Sequence, residues 1–408
     1  MINRQIPVAD RLLGVEEYYF SKKLQEINEL NRNGERVINL GIGSPDLAPP
    51  ENVIKALIAS AENPQNHRYQ EYRGITELRN AFAAWYHKYF NVHLDPEREI
   101  LPLMGSKEGI MHITMAFVNK GDVVLVPNPG YPTYAAAANL AGGTVKAYDL
   151  SDENGWLPDL NILDKTDLSK VKLMWINYPH MPTGAIANRE DLRNLISFAY
   201  NNNIILVNDN PYAFILNKTP LSLLENRTGE DHIVELNSLS KSHNMSGWRV
   251  GVVAGNSQLI ERILQFKSNM DSGMFLPIQV AAIRALEERM DWYEKQNQTY
   301  AKRSVFARKI ATLLNCSYTK DTSGIFIWAK IPVEWDSSEA LSDIILQHAR
   351  VFITPGHIFG SQGRRYIRLS LCSPTEDWQV ALKRISGIKN EIKYQNEKEH
   401  EIINYKFI

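Results

Sequence analysis

The chain has 408 residues, of which 44% are hydrophobic and 22% charged, a balance that excludes global disorder and leaves room for two domains and a large core. A net charge of −1 gives no electrostatic reason to bind nucleic acid or an anionic membrane. No run approaches eighteen uninterrupted apolar residues and the first ten lack a secretory apolar core, so a cytoplasmic protein is expected, with Cys316 and Cys372 as reduced thiols.

In chain order, the first periodic element is the amphipathic stretch Tyr18 to Leu30. A clearer helix follows at Ile75, Leu78, Phe82, Trp85 and Tyr89, whose spacing of three and four draws one apolar stripe. Gly105-Ser106-Lys107 then opens a helical pattern through Ile110, Ile113 and Phe117. A glycine and a hydroxyl at a helix start offer free N–H groups to a phosphate, although a simple N-cap at Ser106 reads about equally well.

Short runs at Asp122 to Val126, Lys172 to Ile176, Asn203 to Val207 and Ile233 to Leu236 are rich in Val, Ile and Leu and end at Asn, Asp, Pro or Ser. They are predicted to be buried strands. Strands alternating with helices predict a mostly parallel sheet covered by helices on both faces, with ligands at the carboxyl ends of the strands. The polar residues collect at those ends. Asn-Pro-Gly-Tyr-Pro-Thr-Tyr at 128–134 aims Tyr131 at the crevice, where its ring can stack on a planar group; by itself it is equally a rigid turn. Asn177-Tyr-Pro-His-Met-Pro-Thr-Gly184 follows the next strand, and Asp209-Asn210-Pro211-Tyr212 the one after. Asp209 at a strand end can pair with a protonated ring nitrogen, or merely cap a loop.

Residues 238 to 251 set Lys241 among Ser238, Ser240 and Ser242, with Arg249 eight positions on. A lysine that forms a Schiff base must be held still and lose its proton, which burial and nearby cations promote; the hydroxyls and Arg249 suit a tethered dianionic phosphate. Beyond about residue 290 the pattern changes to a smaller α+β domain. A helix is expected from Asp336, with Glu339 closing a capping box, flanked by strands Gly324 to Ile331 and Tyr366 to Leu371. Arg368, between Ile367 and Leu369, is expected to meet a substrate carboxylate. The tail from about 390 to 406 reads as a solvated helix or frayed end. No Cys/His cluster has zinc spacing and no His-Glu-x-x-His occurs, so no protein-built metal site is expected.

Together, from Asn39-Leu-Gly-Ile-Gly-Ser-Pro-Asp46 to Arg368, these motifs resemble the class I/II aminotransferases, the fold-type-I pyridoxal-phosphate enzymes. Asn39 to Asp46 and Asn269 to Phe275 are similar, more loosely, to the sub-group of LL-diaminopimelate and alanine aminotransferases. The resemblance implies an α/β fold with a large cofactor-binding domain (50–290) and a small domain made from 1–49 and 291–408. It implies that Lys241 forms the internal aldimine and shuttles the Cα proton, that Asp209 keeps the ring nitrogen protonated, and that Tyr212 donates to the ring's phenolic oxygen. Tyr131 stacks on the ring, with Asn177 and Met181 beside it. Gly105, Ser106, Lys107, Ser238, Ser240 and Arg249 hold the phosphate. Arg368 grips the substrate α-carboxylate, helped by the backbone at Gly43, with Ile42 and Tyr18 near its side chain. Tyr69 matches a tyrosine that reaches the neighbouring subunit's phosphate, which implies a homodimer with composite sites.

The implied activity is transfer of an amino group between an α-amino acid and a 2-oxo acid. A carbon–sulfur β-lyase or a cyclopropane-forming synthase on the same fold shares these motifs. The sequence departs from the family at Met181, where an asparagine usually precedes Pro-Thr-Gly and donates to the phenolic oxygen. Tyr212, with His180, is expected to carry that hydrogen bonding instead, and the Met181–Pro182 bond to be cis. Arg262 and Arg284 are candidates for a second carboxylate-binding arginine, although both also read as charged helix faces.

Overall fold

A computed structural model describes residues 6–15, 17, 19–228 and 232–388. Its strands are β1 (Ile38–Asn39), β2 (Ile100–Leu103), β3 (Val123–Asn128), β4 (Thr144–Asp149), β5 (Val171–Ile176), β6 (Ile205–Asp209), β7 (Ile233–Ser238), β8 (Gly251–Gly255), β9 (Ser317–Tyr318), β10 (Phe326–Lys330), β11 (Val351–Phe352), β12 (Thr354–Pro355) and β13 (Tyr366–Ser370). Seven of them form one sheet in the order β2-β8-β7-β6-β5-β3-β4. β8 runs antiparallel to both of its neighbours, and the other pairs are parallel.

The central strands are apolar on both faces because helices cover both. Leu173, Trp175, Val207 and Leu236 pack on one side, with Ile110 and Ile113 of the helix Ser106–Phe117 and Ile260 and Ile263 of the helix Ser257–Lys267. Met174, Ile176, Leu206 and Ile233 pack on the other, with Leu192, Leu195 and Ile196 of the helix Arg189–Asn201. Each such side chain contributes about 1.5–3 kcal/mol when fully buried. The four predicted strands are all present, but β6 and β7 run two residues past their apolar runs, to Asp209 and Ser238. Sheet pairing continues there, Asp209 opposite Leu236 and Ser238 opposite Gly251, so backbone regularity carries the polar residues into fixed positions.

The expected helix with the Ile75–Tyr89 stripe spans Thr76–Phe90 and buries Leu78, Phe82 and Trp85. The expectation of a helix from Asp336 needs correction. The helix is Ser338–Ile344, capped by the Ser337 hydroxyl, which accepts from the Ala340 N–H. Glu339 therefore sits one position too early to close a capping box. The amphipathic stretch near the N-terminus forms the helix Tyr19–Arg32. Downstream of it, β1 pairs with β11, Ile38 opposite Val351, fastening the N-terminal segment to the C-terminal part of the chain. There β12-β13-β10-β9 make an antiparallel sheet that places Arg368 opposite Trp328. The tail expected from about 390 lies outside the described residues. No helix among those described is long and apolar enough to cross a membrane.

Candidate active site

The carboxyl ends of β5, β6 and β7 deliver Asn177, Asp209 and Ser238 to one cleft of ≈ 580 Å³, with Lys241 just beyond. Ser238 ends β7 and turns the chain, its hydroxyl accepting from the Ser240 N–H at 3.1 Å. The short helix Leu239–Ser242 then presents Lys241. Its Nζ donates to the Gly43 carbonyl. Burial lowers the lysine's pKa first, and Arg368 and Arg249 lower it further, against opposing pulls from Cys372 and Asp209. Such an amine reaches its neutral, nucleophilic form more readily than a solvated one.

Asp209 is 5% exposed. One carboxyl oxygen, Oδ2, accepts from the Tyr134 hydroxyl at 2.9 Å, and the other, Oδ1, is buried with no hydrogen-bond partner. Burial pushes the carboxyl up to about 6, against the stabilising pull of Tyr134 and Lys241. A buried carboxylate with one orphaned oxygen calls for a cationic donor. Tyr134 is held by stacking on Trp175, ring centroids 4.9 Å apart and planes 6° from parallel. Tyr131, at the cleft wall, meets Tyr134 edge-on at 5.6 Å.

A second corner of the cleft is cationic. Gly105 precedes the helix Ser106–Phe117 with φ +88°. A Cβ there would run into the Arg249 guanidinium, so glycine is required twice over, by conformation and by space. Arg249 itself is left-handed (φ 58°) and donates to the Ser246 carbonyl at 2.8 Å. Lys107 has its pKa lowered by burial and then by Arg249. Two close cations, a helix N-terminus and the hydroxyls of Ser106, Ser238 and Ser240 suit a dianion. The residues present therefore fit an aromatic group with a protonated ring nitrogen and a phosphate.

Arg368 projects from β13 into the opposite wall and is 3% exposed. Its guanidinium lies 4.0 Å from the Phe326 ring centre, 4.6 Å from Phe359 and 5.3 Å from Phe20. Nη2 donates to the Gly41 carbonyl at 2.7 Å, and Nη1 lies 3.4 Å from Met181 Sδ. The low-dielectric ring cage strengthens any carboxylate contact made there. Gly43 lines the same cleft as this arginine, and its carbonyl accepts from Lys241.

Of the predicted site residues, Ile42, Gly43, Ser106, Lys107, Tyr131, Asn177, Met181, Asp209, Tyr212, Ser238, Ser240, Lys241, Arg249 and Arg368 line this one cleft. Gly105 lies behind Arg249. Tyr69 stands apart on the surface, 92% exposed, and Tyr18 lies outside the described residues. His180 does not line the cleft; it is buried with Nδ1 2.8 Å from the Thr183 hydroxyl. Arg262 and Arg284 are spent on exposed helix faces, against Gln265 and Glu287. The Met181–Pro182 bond is cis, as expected, and both cysteines are free and buried. Sequence reasoning missed Tyr134, Phe20, Phe326 and Phe359. Tyr134 was findable: Pro132 starts a helix there, and a residue three after Tyr131 shares its face.

Comparison with known proteins bears on the family and the fold. The profile of the class I and II aminotransferases matches residues 35–385. LL-diaminopimelate aminotransferase of Dehalococcoides mccartyi is 38% identical over 94% of this chain and 99% of its own, and that of Aquifex aeolicus 38% identical over 93% and 99%. Among solved structures, substrate-bound BacF of Bacillus subtilis superposes with a TM-score of 0.89 at 34% identity, covering 94% and 98% of the two chains. Alanine aminotransferase of Pyrococcus furiosus superposes with 0.87 at 25%, covering 94% and 100%. The fold is that of the fold-type-I aminotransferases. The chain belongs to the class I and II aminotransferases.

Proposed function

We propose that this aminotransferase holds pyridoxal phosphate through Lys241 and exchanges an amino group between an α-amino acid and a 2-oxo acid. The orphaned, buried oxygen of Asp209 carries the reading, because a protonated ring nitrogen is the partner it lacks. When bound, the cofactor supplies an aldehyde for amine exchange and an electron-poor ring that accepts the pair left by a departing Cα proton. This chain's residues do the rest. Asp209 keeps the ring nitrogen protonated, and Tyr134 keeps Asp209 aimed. Arg249, Lys107, Ser106, Ser238 and Ser240 anchor the phosphate where Gly105 leaves room. Tyr131 would stack on the ring, and Tyr212 would donate to its phenolic oxygen, with Asn177 and Met181 beside it. Arg368 orients the substrate carboxylate, so that the Cα proton faces Lys241 Nζ, which takes it as a neutral amine and returns it. Ile42 borders the substrate side chain.

Similarity to LL-diaminopimelate aminotransferases makes LL-diaminopimelate the first amino donor to test. The exposed cluster of Tyr69, Tyr72, Met270 and Phe275 supports a homodimer in which Tyr69 enters the partner's site, and the cytoplasm is the proposed location. The direct test is borohydride reduction of the yellow protein and peptide mapping. A pyridoxyl label on Lys241 is expected; a label elsewhere, or none, sinks the reading. Adding LL-diaminopimelate without an acceptor should bleach the visible absorbance once per site, and Lys241→Ala should bind cofactor without bleaching.

A further inference from the structure

Behind the active site lies a carboxylate to which the reaction assigns no part. Glu235 is 0% exposed and sits in β7, opposite Asn208 of β6. Its Oε1 accepts from the Ser222 hydroxyl at 2.9 Å and the Tyr86 hydroxyl at 3.2 Å. Its Oε2 accepts from the Leu223 N–H at 2.8 Å and from Asn208 Nδ2 at 3.0 Å. Four donors saturate a carboxylate, and no cation pairs with it among the described residues. Burial pushes its carboxyl up to about 7, against the pull of those bonds. A group this costly to bury is kept for what it fixes.

What it fixes is visible in the neighbouring strand. Side chains alternate across a strand, so Asn208 and Asn210 face Glu235 while Asp209 between them faces the cleft. The Asn210 N–H is tied to the Leu236 carbonyl at 2.8 Å and its Nδ2 to the Leu221 carbonyl at 3.0 Å. Because Asn208 gives its NH2 to Glu235, its Oδ1 is turned toward β5, where it accepts from the Tyr178 N–H at 3.0 Å. Tyr178 is next to Asn177, whose side chain donates to the Asp209 carbonyl and accepts from the Met181 N–H at 2.8 Å. The relay thus runs from β7 through β6 to the loop carrying Met181.

We propose that Glu235 is a positioning residue for this site: through Asn208 it sets the amide orientation that anchors the 177–184 loop and the direction in which Asp209 faces the cleft. The proposal rests on the reading of Asp209 as the ring-nitrogen partner, so wild-type colour must be established first. Glu235→Gln keeps one acceptor oxygen, which can stay on the Leu223 N–H and Asn208 Nδ2 while its NH2 turns to the Ser222 and Tyr86 hydroxyls, groups that can accept. Glu235→Leu removes both acceptors, so nothing holds the Asn208 NH2 and its oxygen is free to leave the Tyr178 N–H. Asn208→Ala cuts the relay at its middle and leaves Glu235 its other donors.

The experiment measures cofactor dissociation constant, kcat, KM and the pH titration of the bound cofactor's absorbance in Glu235→Leu, Glu235→Gln and Asn208→Ala. Glu235→Leu and Asn208→Ala are each expected to weaken cofactor binding or kcat by about ten- to a hundredfold and to move the absorbance titration. Glu235→Gln should stay within about threefold of wild type, with the titration unmoved. A Glu235→Leu enzyme matching wild type, or a Glu235→Gln enzyme as impaired as Glu235→Leu, overturns the proposal. Should Glu235→Leu fail to fold, Asn208→Ala decides; unchanged binding, kcat and titration in that variant also overturn it. Absence of colour in the wild type would instead sink the cofactor reading.

Discussion

Asp209 carries the largest conflict between stability and function. Its folded pKa of about 6 exceeds the ordinary 3.8 because burial penalises the charge. A carboxyl raised in the fold contributes stability that is present below pH 3.8 and lost as pH rises through about 6. The cofactor-free protein is therefore strained at neutral pH by an ionised, half-satisfied Asp209. Asp209→Asn should raise apoprotein stability by about 1–3 kcal/mol at pH 7–8, with the gain fading below about pH 4. The same variant should lose most activity, as the ring nitrogen loses its anion. Thermal melts of both apoproteins across pH decide it; parallel curves would mean that Asp209 is not buried as charge. Met181 poses a smaller question. Its thioether faces Arg368 Nη1 at 3.4 Å and cannot donate to a phenolic oxygen. Met181→Asn supplies a donor worth about 1 kcal/mol net, so the midpoint of the cofactor's pH-dependent absorbance should fall by somewhat under one unit. An unmoved midpoint would show that residue 181 does not touch that oxygen.

At the level of elements, the phosphate corner depends on a strand-to-helix junction rather than on any one side chain. Gly105 ends its turn at φ +88° and lets the Arg249 guanidinium lie against it. Gly105→Ala adds about 1–3 kcal/mol of backbone strain and displaces the arginine, so cofactor affinity should drop about tenfold or more while the melting profile stays cooperative. Equilibrium titration with pyridoxal phosphate measures it, and wild-type affinity would show that the corner tolerates a Cβ. This junction was legible in the sequence because glycine, hydroxyl and helix periodicity coincide within three residues. The sheet strands were legible as apolar runs, although periodicity stopped two residues short of Asp209 and Ser238, where pairing outlasts hydrophobicity. Less visible were contacts made across the fold. Nothing near Phe20, Phe326 or Phe359 marks them as Arg368's cage, because these residues and Arg368 meet only through the packing of four separate elements. The Glu235 relay was hidden for the same reason, one polar residue in an apolar strand being read only as part of that strand. At the helix near 337, three adjacent candidates, Asp336, Ser337 and Ser338, could each have served as cap, and sequence alone did not separate them.

Across the whole molecule, one exposed apolar group is tied together by two loops that meet. Tyr69, Tyr72, Met270 and Phe275 are 92%, 46%, 51% and 40% exposed, and two loops join them: His67 meets Phe275 at 5.6 Å, and Lys267 Nζ bonds both the Tyr72 carbonyl, at 2.9 Å, and Asp271, at 2.8 Å. A buried ion pair between Lys267 and Asp271 thus stiffens the base from which Tyr69 projects. An aromatic side chain held out from a rigid base matches a residue that works in a second copy of the chain. If the sites are composite, a hybrid of one Lys241→Ala subunit and one Tyr69→Ala subunit has one doubly impaired site and one intact site. Differently tagged subunits, co-expressed and purified through both tags, should give about half of wild-type specific activity, although each parent homodimer is impaired at both of its sites. A hybrid no more active than the mean of its parents would place Tyr69 outside the partner's site and leave that surface with some other role.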